Sequence, residues 1–270
     1  MSQAQDTVEL TKATLSRDSR VLWHELNLAI KPGEFVAVLG PNGSGKTSLL
    51  KALLGLLPLS SGNVDILGRP ARRGNPHIGY IPQQKGFDAD TLLRGRDLVR
   101  LGVDGARFGF RKASLLAEHY IDEVIESVGA TAYADMPLGL LSGGEQQRLR
   151  VAQAMVGKPK ILLCDEPLLS LDIASQQAVT KLIDMYRRNH GASVVFVTHE
   201  INPVLRYVDR ILYLANGRWV VDTPDVVLQS QTLSDLYGTK VEVVRVKNQV
   251  LVVGESGVRV SQEAHHGGEA

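Results

Sequence analysis

Gly40-Pro41-Asn42-Gly43-Ser44-Gly45-Lys46-Thr47 fits the spacing G-x-x-x-x-G-K-[ST], the sequence of a loop that closes around phosphate. Such a loop needs glycines because its backbone must turn its amides inward about an anion at a helix start. Gly40, Gly43 and Gly45 supply that freedom, and Pro41, Asn42, Ser44 and Ser48 complete the expected lining. Lys46 is expected to reach the β- and γ-phosphates of a nucleotide, and the Thr47 hydroxyl to ligate Mg²⁺. Just before the loop, Phe35-Val36-Ala37-Val38-Leu39 is apolar without alternation, as in a strand buried on both faces of a parallel sheet. Just after it, Leu49, Leu50, Leu53, Leu54 and Leu57 fall at helical spacing until Pro58 and Ser60-Ser61-Gly62 end the segment. Strand, phosphate loop and helix follow in the order the motif requires.

Further along, Ile161-Leu162-Leu163-Cys164 is an apolar run that ends on two adjacent carboxylates, Asp165 and Glu166. In phosphate-loop ATPases a carboxylate there holds the Mg²⁺ and a second polar residue orients the attacking water. Asp165 fits the metal role and Glu166 the base. Buried-strand patterns also cover residues 78–81, 193–198 and 210–214, with 172–188 reading as a helix. Strands alternating with helices predict an α/β layered core around a mostly parallel sheet. Residues 8–30 and 64–67 carry shorter strand patterns, expected as an antiparallel β layer beside that core. No strand candidate falls between 87 and 141, whereas 114–128 carries the apolar stripe Leu116, Tyr120, Ile121, Val124 and Val128, expected as part of an α-helical insertion. After Trp219-Val220-Val221 come a helix-prone piece and two strand-like runs around Lys247-Asn248-Gln249, a hairpin pattern. Residues 261–270 are expected to be a disordered tail.

Composition narrows the possibilities. A chain of 270 residues, 44% hydrophobic and 22% charged, is long enough to bury a substantial core. Its 30 basic and 29 acidic residues leave a formal net charge of +1, so no overall field draws it to nucleic acid or an anionic membrane. Cys164 is the single cysteine, which excludes an internal disulfide and fits a reducing compartment. It reads as a small buried hydrophobe. The N-terminus lacks the basic start and apolar stretch of a signal peptide. No apolar run approaches the roughly 20 residues that span a bilayer, so any membrane role is expected to come through a partner.

Leu141-Ser142-Gly143-Gly144-Glu145-Gln146-Gln147-Arg148 resembles the signature sequence of ATP-binding cassette (ABC) proteins, and with the phosphate loop it makes the chain resemble the nucleotide-binding subunit of an ABC transporter. The resemblance implies a P-loop NTPase core of mostly parallel sheet and flanking helices, with an antiparallel β layer and an α-helical insertion. It divides the chain into a RecA-like ATP-binding core at 1–86 and 142–225, a helical subdomain at 87–141, a C-terminal extension at 226–260 and the tail. Ser142, Gly143 and Gly144 are then expected to contact the γ-phosphate bound to the opposite subunit. An exposed glycine-rich helix start suits that role, as an anion site expected to hold no anion of its own. Gln83, in Tyr80-Ile81-Pro82-Gln83, resembles the glutamine that touches Mg²⁺ and the nucleophilic water, with Gln84 as its neighbouring alternative. His199 resembles the switch histidine that contacts the γ-phosphate, and Asp172 the aspartate joining two subunits, a residue that equally suits an N-cap.

The implied machine is a head-to-tail homodimer that binds ATP and Mg²⁺, attached to integral-membrane permease subunits and served indirectly by an extracellular substrate-binding protein. Its expected place is cytoplasmic, peripheral on the inner face of the cell membrane through the permease, with no nucleic-acid partner. Chain length, the segment Arg107 to Arg111 and Leu236-Tyr237-Gly238 resemble the zinc, manganese and iron importer group. A soluble ABC ATPase of iron-sulfur assembly or of nucleic-acid or ribosome processing is the alternative. One feature departs from the family pattern: where an aromatic residue stacks on adenine, this chain has Thr14-Leu15-Ser16-Arg17-Asp18. Arg17 is a candidate to cover the base by cation–π contact or else a solvent-facing arginine, and Trp23 is expected to pack under the sheet. The pair His265-His266 makes only a weak metal site without a third ligand.

Overall fold

The computed structural model describes residues 5–18, 20–83, 86–104, 115–247 and 249–254. The segment from Arg107 to Arg111, Gln84, the tail and its two histidines lie outside the described residues. At the centre is a six-stranded sheet. Its strands are β3 (Phe35–Leu39), β6 (Ile78–Ile81), β7 (Ile161–Asp165), β8 (Ser193–Val197), β9 (Arg210–Ala215) and β10 (Arg218–Asp222), with spatial order β10-β9-β3-β8-β7-β6. All neighbours are parallel except the β9–β10 hairpin at one edge. A second sheet of β1 (Val8–Arg17), β2 (Arg20–Ile30), β4 (Ser61–Ile66) and β5 (Arg69–Pro70) is antiparallel throughout.

The uninterrupted apolar runs of the central strands follow from burial on two faces. Val36, Val38, Ile161, Leu163, Val195, Val197, Leu212 and Leu214 point into one core, shared with the antiparallel sheet and with α1 (Lys46–Leu53). The residues between them, Phe35, Ala37, Leu39, Leu162, Cys164, Val194, Phe196, Ile211 and Tyr213, point into a second core. That core is covered by α2 (Gly95–Asp104), α3 (Leu115–Ser127), α4 (Gly143–Met155) and α5 (Ile173–His190). Period-2 geometry thus sends successive side chains to opposite cores, and both are apolar. Burying each large side chain contributes about 1.5–3 kcal/mol relative to exposure. Trp23 is fully buried in the first core, as its sequence context implied.

The helices begin and end where local chemistry dictates. Asp172 is the N-cap of α5, accepting from the Ser175 amide, and Gly191 closes the helix in the left-handed conformation at φ 61°. Arg187, Arg188 and His190 sit in its last turn, favourable for the helix dipole. Helix α1 stops at Leu53, a turn short of the apolar pattern that continued to Leu57. Helix α2 carried no separate signal in the sequence reading, and α3 occupies most of the stretch with the apolar stripe. After β10, short α6 (Pro224–Val227) and α7 (Ser230–Tyr237) lead to the hairpin β11 (Val241–Val246) and β12 (Gln249–Gly254). That hairpin is pinned to the loop after β8: the Asn202 side chain donates to the Val250 carbonyl at 3.1 Å and accepts from its amide at 2.8 Å.

Candidate nucleotide site

The C-terminal ends of β3, β7 and β8 are neighbours in the central sheet, so the phosphate loop, the carboxylate pair and His199 converge at one edge. This is where open α/β sheets hold their ligands. Two loop glycines are obligatory. Gly40 has φ 143°, and a Cβ there would stand 2.1 Å from the Leu214 carbonyl oxygen. Gly45 has φ 97°, and a Cβ there would meet the Trp23 indole nitrogen at 2.9 Å. Gly45 also serves as N-cap of α1 without a side-chain hydrogen bond, so the first turn keeps its amides for a ligand.

The remaining features of the loop fit a polyphosphate. Lys46 is buried at 5% exposure and donates to the carbonyls of Gly40 at 2.8 Å and Pro41 at 3.0 Å. Burial lowers its pKa, while the nearby Glu166 and Asp165 pull it back up. The Ser44 hydroxyl is buried with no hydrogen-bond partner among the described residues, an orphan that an anion's oxygen would satisfy.

Beside the loop, the Thr47 hydroxyl donates to Asp165 Oδ1 at 3.1 Å, and the Tyr80 hydroxyl donates to Asp165 Oδ2 at 3.4 Å. Asp165 is 1% exposed, and its pKa is raised mainly by desolvation, with the Thr47 bond opposing and the Glu166 charge adding to the rise. Tyr80, pushed up to about 12 by burial and by Asp165, stays a neutral donor. Glu166 follows in the left-handed conformation at φ 47°, a strained placement for a side chain at a functional edge. Its Oε2 accepts from Gln83 Nε2 at 2.9 Å, and its Oε1 lies 2.5 Å from His199 Nε2. The Thr198 hydroxyl shapes the turn around His199 by accepting from the Glu200 amide at 3.1 Å and donating to the Glu200 carbonyl at 3.0 Å.

Two clusters therefore stand side by side: Thr47 with Asp165 and Tyr80, and Glu166 with Gln83 and His199. Gln83, expected on the metal as well, gives its amide N–H to Glu166, a bond that leaves its carbonyl oxygen, the atom a metal would take, unused. Tyr80 and Thr198 were not singled out from the sequence. Tyr80 was detectable only in retrospect, since its strand β6 pairs with β7 and places Tyr80 opposite Leu163. Cys164 is fully buried with its thiol pKa pushed up, as expected of a core residue.

Ser142, Gly143 and Gly144 form a separate cluster. Ser142 is the N-cap of α4 in a reciprocal capping box: its amide donates to Glu145 Oε2 at 2.8 Å, its hydroxyl donates to the same oxygen at 2.7 Å, and the Glu145 amide approaches the hydroxyl at 3.4 Å. The Glu145 carboxylate thus engages the Ser142 amide and hydroxyl, while no hydrogen bond among the described residues occupies the Gly143 and Gly144 amides. A Cβ on Gly144 would stand 2.7 Å from the Ser175 hydroxyl, which itself donates to Asp172, so the starts of α4 and α5 lie together. Among the described residues no hydrogen bond or ion pair links Ser142, Gly143, Gly144 or Asp172 to the phosphate loop.

A loop with an uncapped helix behind it, a buried lysine and paired carboxylates at the end of β7, one strand removed across β8, define a phosphate-loop ATPase. The ABC transporter family profile matches residues 23–169. The zinc transport system ATP-binding protein TroB of Treponema pallidum is 36% identical over 208 residues, covering 77% of this chain and 77% of TroB. The zinc import ATP-binding protein ZnuC of Yersinia pestis is 32% identical over 233 residues, covering 86% and 85% of the two chains. Among solved structures, the dimeric post-hydrolysis state of the ATP-binding cassette MJ0796 bound to ADP and Pi superposes with a TM-score of 0.68 at 28% identity, over 80% of this chain and 98% of that one. The chain belongs to the ABC transporter family, as an ATP-binding and ATP-hydrolysing cassette. Among the described residues no helix is long and apolar enough to cross a membrane.

Proposed function

We propose that this cassette drives a membrane importer for a divalent metal ion, zinc or manganese, or for an iron complex, as one half of a head-to-tail homodimer. The observation that carries the reading is the division of the ATP site: a complete cradle and catalytic pair at one sheet edge, and a signature helix start unconnected to it. A second copy, turned head to tail, brings its own Ser142, Gly143 and Gly144 over the outer face of the γ-phosphate, with Asp172 at the seam. Leu169 and Ile173, 43% and 75% exposed on either side of Asp172, offer apolar surface for that contact.

Within one copy, Gly40 through Ser48 hold the phosphates, and Lys46 exchanges its two carbonyl partners for the β- and γ-phosphate oxygens. Thr47, Asp165 and Gln83 are the residues that would hold Mg²⁺, which neutralises charge on the transferring phosphoryl group. Glu166 accepts a proton from water as the water oxygen bonds to the γ-phosphorus and the bond to the bridging oxygen of ADP breaks. Gln83 and His199 keep the Glu166 carboxylate aimed, and His199 with Lys46 bears on the charge that develops. ATP joins the two copies and its hydrolysis parts them, which transmits the cycle to a permease.

In this reading the cassette core is 1–86 with 142–225. Residues 87–141 form the helical subdomain that meets the membrane subunits, and 226–260 form the extension. The protein works in the cytoplasm, peripheral to the membrane through integral-membrane permease subunits. An extracellular substrate-binding protein delivers the cargo, and nucleic acid takes no part. The names of TroB and ZnuC support a zinc cargo. Replacement Glu166→Gln is expected to lower turnover at least 100-fold while ATP produces a dimer on size-exclusion chromatography; native turnover would remove Glu166 from the base role. Cellular zinc, manganese and iron measured in a strain lacking the protein identify the cargo, and unchanged levels of all three would rule out the metal reading.

A further inference from the structure

The first residues of β2 run along the underside of the phosphate loop. Where a Cβ on Gly45 would stand, Leu22 Cβ is 3.1 Å away and the Trp23 indole nitrogen 2.9 Å. Three residues before Trp23, the guanidinium of Arg20 reaches the next glycine of the loop: its Nη1 is 3.8 Å from where a Cβ on Gly43 would stand. Arg20 is exposed, and among the described residues no carboxylate pairs with it. Arg17, read from the sequence as either a cover for the base or a solvent-facing arginine, pairs with Asp18 at 3.6 Å, and both of those side chains are largely solvated at 69% and 91% exposure.

We propose that Arg20 is a further nucleotide-binding residue, a second cation of the site standing on the loop's outer rim beyond Lys46. The inference rests on the reading of the loop as an ATP site. An unpaired guanidinium beside a ring of amides that awaits a polyanion has one obvious counterion, the bound nucleotide. Its planar face and forked donors suit either a phosphate oxygen pair or the face of a purine. A lysine would supply charge alone. Arg20 thus supplies recognition in a chain without an aromatic residue in Thr14-Leu15-Ser16-Arg17-Asp18.

Equilibrium binding of ATP, GTP and inorganic tripolyphosphate to the full chain, to Arg20→Ala, to Arg20→Lys and to Arg17→Ala tests this. Arg20→Ala is expected to weaken ATP and GTP about tenfold, with Arg20→Lys in between and Arg17→Ala within twofold of the native chain. If tripolyphosphate weakens equally, the contact is to phosphate; if it binds as before, the guanidinium lies on the base. Unchanged ATP affinity in an Arg20→Ala chain that melts normally overturns the proposal, as does an equal loss in Arg17→Ala, which would mean only diffuse charge. Lys46→Ala serves as the control, since a native chain that binds no ATP, or a Lys46 variant that binds it normally, defeats the reading of the loop itself rather than the role of Arg20.

Discussion

Two helix starts of this molecule use the same device and treat it in opposite ways. At α1 the N-cap is Gly45, with no side chain to satisfy the amides, and Lys46 is folded inward among buried atoms. At α4 the N-cap Ser142 and its partner Glu145 satisfy each other on an exposed surface. The first is stable in waiting only because glycine geometry and surrounding strands hold its shape, and it gains from any polyphosphate that arrives. The second has its N-cap residue satisfied from within, and in the proposed dimer a partner's γ-phosphate would meet the Gly143 and Gly144 amides beside the Glu145 carboxylate.

The largest effect that separates them is expected from Lys46→Ala. Charge-assisted hydrogen bonds contribute about 1.5–3 kcal/mol each, so ATP affinity should fall roughly 10- to 150-fold, measured by calorimetry. Unchanged affinity would mean that capture at α1 does not depend on its buried cation. Next, Asp165→Asn is expected to raise the stability of the nucleotide-free chain by about 1 kcal/mol, or about 2–4 °C in Tm near neutral pH. The sign follows from linkage. The native pKa of Asp165 is raised, so the folded state holds its proton more tightly and native stability falls as pH rises from the ordinary carboxylate range through that native pKa. The asparagine variant should lack this slope, and melting curves whose difference does not shrink toward acid pH would exclude buried charge as its cause. Smallest is Glu145→Ala, which removes half of the capping box and should cost about 0.5–1 kcal/mol of stability. The same change removes a like charge beside the proposed γ-phosphate contact, so combined with Glu166→Gln it should let the ATP-bound dimer form at lower ATP. A dimer needing more ATP would show that Glu145 assists the partner contact.

Much of the site was legible because its chemistry demands particular residues at fixed spacing. The loop from Gly40 to Ser48, the carboxylates after an apolar strand and the serine before paired glycines each have a physical requirement that few sequences meet by accident. The central strands were legible too, since burial on both faces leaves an uninterrupted apolar run. Tyr80 and Arg20 were not. Each acts through a neighbour distant in the chain, Asp165 for one and Gly43 for the other, and neither position carries a periodicity or motif that marks it. The Glu145 cap was legible as Ser142 three residues before Glu145, yet its consequence for an incoming phosphate needed the hydrogen bonds themselves. Helix α2 has an apolar face of Leu98, Val99 and Val103 against the second core, but it spans only ten residues and Gly95 and Gly102 interrupt its pattern as sequence.

The sequence alone determined that this chain has a doubly buried parallel sheet, a phosphate loop at the end of one strand and acids at the end of another, because backbone freedom and hydrophobic burial act on neighbours in the chain. Only the tertiary structure decided who stands beside whom: Thr47 on Asp165, Gln83 and His199 on Glu166, Arg20 against Gly43, Asn202 on the C-terminal hairpin. The reason is that strand order, β10-β9-β3-β8-β7-β6, follows from how two apolar cores close on a twisted sheet, and no local stretch of sequence carries that order.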